Sequence, residues 1–135
     1  MSIISIRAAI ESKLATISPA ISTAYENVPF TPVAGTPYQS VFIMPAAPSN
    51  PTLGDGYYRA IGIAQISLFY PIQAGTLTAA TRAELIRSTF KRGTSMTSGG
   101  ITTIIERTPE IGQGRVDGDR WALPVKIRYY AGVFA

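Results

Sequence analysis

The side chains able to make or break bonds are few in this sequence. Histidine and cysteine are both absent, which removes the commonest general base near neutral pH, the commonest metal ligand, every thiolate nucleophile and every disulfide. A Ser-His-Asp or Cys-His arrangement is therefore impossible. Asp117-Gly118-Asp119 has the acidic spacing that opens a calcium loop, but the twelfth position counted from Asp117 is Arg128, where such a loop needs a bidentate glutamate. A turn built from Asp and Gly just before a strand is the simpler reading. Gly112-Gln113-Gly114, with Gly118 further on, loosely matches a dinucleotide fingerprint without following a strand and opening a helix. No Gly-Lys-Ser/Thr run is present, so there is no phosphate-binding P-loop. The eight acidic residues show no spacing that selects a pair for glycoside chemistry. The expectation is a non-enzyme with no catalytic residue, no cofactor and no metal.

Charge and composition point towards surfaces instead. The net charge is +4, and the basic residues are mostly arginine, the better phosphate partner. They are scattered apart from Lys91-Arg92 and fit no homeodomain, RNA-recognition or zinc-finger pattern. A basic nucleic-acid-binding module stays open as an alternative on charge alone. Tyr57-Tyr58-Arg59 has side chains that stack on bases, but Tyr and Arg are equally enriched in protein interfaces. Only 15% of the 135 residues are charged, against about 25% in a typical soluble domain. With 46% hydrophobic residues, part of the surface is expected to be buried against copies or partners. No apolar run reaches the ~20 residues of a membrane span, and Met1–Arg7 lacks the pattern of a signal peptide. A protein made and kept in the cytoplasm, or in a particle assembled there, is expected.

These surfaces need elements to position them. Ile3, Ile6, Ile10, Leu14 and Ile17 recur every three or four residues, which predicts an amphipathic helix of about four turns, with Ser2 as its cap and Pro19 beyond its end. Extended chain is expected at 22–26, then a stretch (Pro29, Pro32, Gly35, Pro37) too proline-rich for helix or central strand. Tyr38–Met44 reads as a strand, Pro45–Gly56 as a long loop, and Tyr57–Tyr70 as a long central strand. A second helix is predicted over 78–92, with Ala79, Ala83, Ile86 and Phe90 on its stripe and Arg82 off it. Thr81 and Glu84 match a capping box, and Gly93 suits the αL position at its end. A flexible link (94–100), a strand (101–107), a polar loop and an alternating last strand (121–130) complete the chain. Pro124 inside that strand implies an edge or a bulge. The expected fold is α/β (α+β): a single domain with one mixed, mostly antiparallel sheet of four or five strands and two helices packed on one face.

The proline-held loop Pro45–Gly56 and the two sheet edges are candidate docking patches, because a pre-ordered segment loses less entropy on binding. From Tyr25-Glu26-Asn27-Val28-Pro29-Phe30-Thr31-Pro32 onwards the chain resembles the tail-terminator proteins of phages with long non-contractile tails. The resemblance continues through Gly35-Thr36-Pro37-Tyr38, Gly62-Ile63-Ala64-Gln65-Ile66, Tyr70-Pro71, Gly75, Phe90-Lys91-Arg92-Gly93, Arg107-Thr108-Pro109 and Pro124-Val125-Lys126-Ile127. It spans nearly the whole chain, on packing and turn residues rather than reactive ones. It implies a virion subunit that forms a ring, usually a hexamer, on the head-proximal end of the tail tube. Such a ring halts tube growth, meets the head connector and lets phage DNA through its lumen. Another neck or tail-tube ring protein is the nearest alternative. The residues expected on the ring's contact faces are Tyr57, Tyr58 and Arg59 at the base of the long loop, and Arg115, Asp117 and Asp119.

Overall fold

The structure is a computed structural model and describes residues 2–54, 56–73 and 75–134, with only the backbone of residue 2. The capping role expected of the Ser2 side chain, and Asp55 of the long loop, lie outside the described residues.

Among the described residues two helices and eight strands form in the order α1 (Ser2–Ala15), β1 (Ser22–Tyr25), β2 (Tyr38–Pro45), β3 (Tyr57–Pro71), α2 (Leu77–Thr89), β4 (Ser95–Ser98), β5 (Ile101–Ile105), β6 (Glu110–Ile111), β7 (Arg115–Asp117) and β8 (Arg120–Phe134). The sheet is mixed, in the order β1-β2-β3-β8-β5-β4. Its β1–β2 pair is parallel and its other pairs are antiparallel. There are thus eight strands where four or five were expected. The difference comes from short pieces. β4 occupies the segment expected to be a flexible link, joined to β5 through Gly99 and Gly100 at φ 57° and 78°. Two successive positive φ values are those of a type I′ hairpin turn, which glycine enters freely. The expected polar loop after β5 is instead a broken continuation of it: β6 and β7 both pair with β8. The break holds 112–114 opposite 123–124, where Gly112 donates to the Pro124 carbonyl. Pro124 lacks an N–H on that same side, so it sits at the bulge of an interior strand and not at an edge.

One core cluster joins both helices to the sheet: Ile6, Ile10 and Leu14 of α1, Ala83 and Ile86 of α2, Val41 of β2, Ile66 of β3, and Val125 and Ile127 of β8. α2 packs on β3 and β8, and α1 on β4 and β5. The sheet is curled, and Arg7 of α1 also pairs with Glu26 at the end of β1. α1 therefore reaches towards both edge strands. The helical stripe of α1 is narrower than its periodicity implies. Ile3 is 50% exposed, and Ile17 packs in the core from beyond the helix end. In α2, Arg82 is buried rather than off the stripe. Thr81 lies in the second turn of α2, where its hydroxyl donates to the Leu77 carbonyl. The N-cap is Thr76, without a side-chain cap bond, so the capping box does not form. Gly93 does take positive φ (86°), but in a turn after the helix end, with Thr94 N–H donating to the Lys91 carbonyl.

β3 and β8 are each 15 residues long and pair along their whole length, from Tyr57↔Phe134 to Pro71↔Arg120. Gly62 faces Tyr129 in this ladder, and a Cβ there would stand 2.4 Å from the Tyr129 hydroxyl and 2.7 Å from the Met44 carbonyl. Tyr129 is 2% exposed and has no space to move away. Gly62→Ala should therefore cost about 1–3 kcal/mol as overpacking, read as a lower urea midpoint at unchanged slope.

Candidate assembly surface

Side-chain direction alternates along β3 and β8. Ala64, Ile66, Leu68, Leu123, Val125 and Ile127 are buried in the core. The alternate positions carry Ile61, Ile63, Gln65 and Phe69, all half-buried, with Lys126 and Arg128 exposed. β2 adds Phe42 and Met44 to that second face, each 43% exposed, opposite Gln65 and Ile63. Cross-strand register places Glu110 opposite Lys126.

One end of this face is covered by the proline-rich stretch that precedes β2, and Arg120 holds it there. The Arg120 guanidinium donates to the Thr36 and Val33 carbonyls at 2.5 and 2.6 Å and lies 5.1 Å from the centre of the Tyr38 ring. Tyr38 stacks on Phe69 at 4.7 Å, and Phe30 tilts against Tyr38 at 5.1 Å. Prolines leave backbone carbonyls without a local ladder, and the planar guanidinium collects two of them at once.

A second buried arginine binds a backbone carbonyl and a side-chain amide. Arg82 is 3% exposed; it donates to the Pro19 carbonyl and, at 3.3 Å, to Gln39 Oε1. Gln39 in turn donates to Thr23 Oγ1 at 3.0 Å. This chain ties α2 to β2, to β1 and to the turn after α1. Burial lowers the Arg82 pKa, and Tyr70 nearby opposes that shift.

Glu26 ends the β1–β2 ladder. Its carboxylate accepts the Ile43 N–H at 2.7 Å and the Arg7 guanidinium at 2.9 Å, so a side chain takes the amide that a longer β1 would have used. Glu11 also lies 3.6 Å from Arg7.

The expected contact residues form two separate groups. Tyr57, Tyr58 and Arg59 open β3. Tyr57 packs against Phe134 at 4.8 Å, and the Arg59 guanidinium sits 5.0 Å from the centre of the Tyr130 ring. The loop Pro45–Gly56 is partly ladder here: Ser49 and Arg59 exchange two backbone bonds of 2.9 and 2.8 Å. Leu53 beyond them is fully exposed. Arg115 and Asp117 belong to β7, opposite Ala122 and Arg120. Asp119 lies in the two-residue β7–β8 turn, whose Gly118 takes φ 62°. Arg59 faces Gly132 and Arg115 faces Ala122; those ten residues of β8 separate the groups by about 33 Å. The structure does not bring them together. Among the described residues no cluster of three or more acidic side chains could hold a metal, and no helix is long and apolar enough to cross a membrane. Arg120, Glu26 and Arg82 carry the local geometry but had no signal in spacing, since their partners are carbonyls and amides remote in sequence.

A curled sheet and two helices that share one core with it form the frame that carries these residues. The sequence matches the model of the phage tail terminator protein family over residues 5–129, and the chain belongs to that family, a structural one. The protein is accordingly a structural component of a phage tail. One solved structure aligns with a TM-score of 0.76 at 28% identity, over 96% of this chain and 94% of the other. A chain from the virion of a native gene transfer agent particle aligns at 0.70 and 19% identity, over 96% of both chains, a likeness of fold. No curated protein matches the sequence.

Two predictions follow from Arg120 and Glu26. Arg120→Lys keeps the charge but loses the two-pronged donor. It should cost about 1–2 kcal/mol and speed proteolytic cleavage within 28–37, measured by mass spectrometry of a timed digest. The Glu26 pKa lies below its ordinary value of 4.5, chiefly because the carboxylate accepts the Ile43 amide; partial burial opposes this and Arg7 reinforces it. A lowered folded pKa means that this contribution to stability is complete above 4.5 and is lost as pH falls from there through the folded value. The stability advantage of wild type over Glu26→Gln should therefore shrink as pH falls through 4.5 and below in urea unfolding.

Proposed function

We propose that the chain is a single-domain, non-enzymatic ring subunit, six to a ring, that caps the head-proximal end of the tail tube. The ring ends tube polymerisation, presents its other rim to the head connector, and passes phage DNA through its lumen without reading sequence. It assembles in the bacterial cytoplasm. Both helices cover one face of the sheet and leave the other for neighbours. The observation that carries this reading is the family match, which runs from α1 into β8 and so covers the fold rather than a motif. The two ends of the β3–β8 ribbon then supply the two unlike rims a cap requires. Tyr57, Tyr58 and Arg59 mark one; Arg115, Asp117 and Asp119 mark the other. With rims that differ, a tube ring docks on one side and none adds to the other.

Removing the protein from an assembling phage should give overlong tubes without heads. Added back to tubes, it should appear by electron microscopy as a ring at one end only. Incorporation along the tube length would identify a tube protein instead, and salt-dependent DNA binding by an unassembled monomer would identify a nucleic-acid-binding module.

A further inference from the structure

We propose that neighbouring copies in the ring meet through unlike faces: the outer groove of α1 on one copy seats on the uncovered sheet face of the next. This rests on the ring reading and adds which surfaces close it.

The sheet edges are poor candidates for that contact. β1 and β4 are four residues each; Glu26 takes the next β2 amide, and β4 packs against α1. Short, covered edges are what natural sheets use to prevent strand addition. The faces are a different matter. Phe42 and Met44 are 43% exposed on the sheet face, beside half-buried Ile63. On α1, Ile3 and Ile4 are 50% and 57% exposed. Two shallow grooves of about 490 and 500 Å³ run along that helix and share Arg7 and Glu11, with Ala8 in one and Ala15 and Val28 in the other. The small alanines allow close approach of a neighbour. The total exposed area is 7,721 Å², above the roughly 7,000 Å² of a compact monomer of this mass.

Charge favours the pairing of unlike faces over like ones. The α1 groove holds one arginine against two glutamates, Arg7 with Glu11 and Glu26. The sheet side carries Arg59, Arg115, Lys126 and Arg128, with Glu106 and Glu110 beside them. A net negative groove therefore faces a net positive sheet, and two sheet faces would repel. Four strands at ~4.8 Å, across the rows from Arg59 to Gln65, give a face of about 20 Å by 20 Å. Side-chain relief brings this near the ~500 Å² per partner of a contact burying 1,000 Å². The two faces differ, so their contact is head-to-tail rather than a self-paired dimer, and it makes a ring when the rotation between successive copies closes.

Ile4→Glu and Met44→Glu each spoil one half of this contact at an exposed site, and circular dichroism and Tm check that both variants fold. Each alone should weaken self-association about 30-fold or more in sedimentation equilibrium. Mixed together they should form a 1:1 dimer and nothing larger, because each supplies the half the other lacks. If both variants assemble as wild type does, the ring uses other surfaces, such as the sheet edges or the segment around Leu53, and only this inference fails. If each loses assembly but the mixture stays monomeric, the two faces do not meet. A wild type that is monomeric at every concentration and forms no ring on tube ends overturns the ring reading itself.

Discussion

The ladder between β3 and β8 is the constraint from which the rest of the molecule takes its geometry. Its register, unbroken from Tyr57↔Phe134 to Pro71↔Arg120, decides the face of every residue on both strands, because a slip of one position would turn the core outwards. Ile66, Leu68, Val125 and Ile127 are buried only in this register. The same register sets Arg59 over Tyr130 at one end and Arg120 under the proline-rich stretch at the other. A rigid ribbon of this length, about 46 Å from end to end, gives the two proposed rims a fixed separation.

The arginines show how this fold uses charge. Arg82 and Arg120 are buried, yet Arg120 donates to two backbone carbonyls and Arg82 to one carbonyl and the Gln39 amide oxygen. A guanidinium can satisfy several carbonyls in one plane, so segments whose prolines break the ladder are still hydrogen-bonded. Glu26 performs the converse task by accepting an orphan amide. These bonds match most of the buried polar atoms of the three residues, Arg82 Nε staying without a partner, and Lys126 and Arg128 stay exposed on the outer face.

The exposed apolar side chains bear on the unusual composition. A chain with 15% charged residues leaves apolar side chains in water, among them Ile3 and Ile4 on the outer side of α1 and Phe42 and Met44 on β2, with others at Val33, Leu53, Leu77, Val116 and Phe134. Membership of a structural tail family places such surfaces in a setting where they are met by other proteins.

The sequence alone determined the absence of histidine and thiol chemistry, both helices and the two long strands. Each of these follows from residue identity or from a local period of two or 3.6, and the resemblance carried by its turn and packing residues agrees with the family that the chain matches. Only the tertiary structure decided the strand count, the bulge at Pro124, the burial of Arg82, and the roles of Arg120 and Glu26. β4, β6 and β7 are two to four residues long, too short to show a period, and they exist because a neighbouring strand offers hydrogen bonds. Arg120 and Thr36 are 84 residues apart in the chain, and Glu26 and Ile43 are 17 apart. A side chain that bonds to a remote carbonyl or amide leaves no trace in spacing, because any residue type supplies that backbone group.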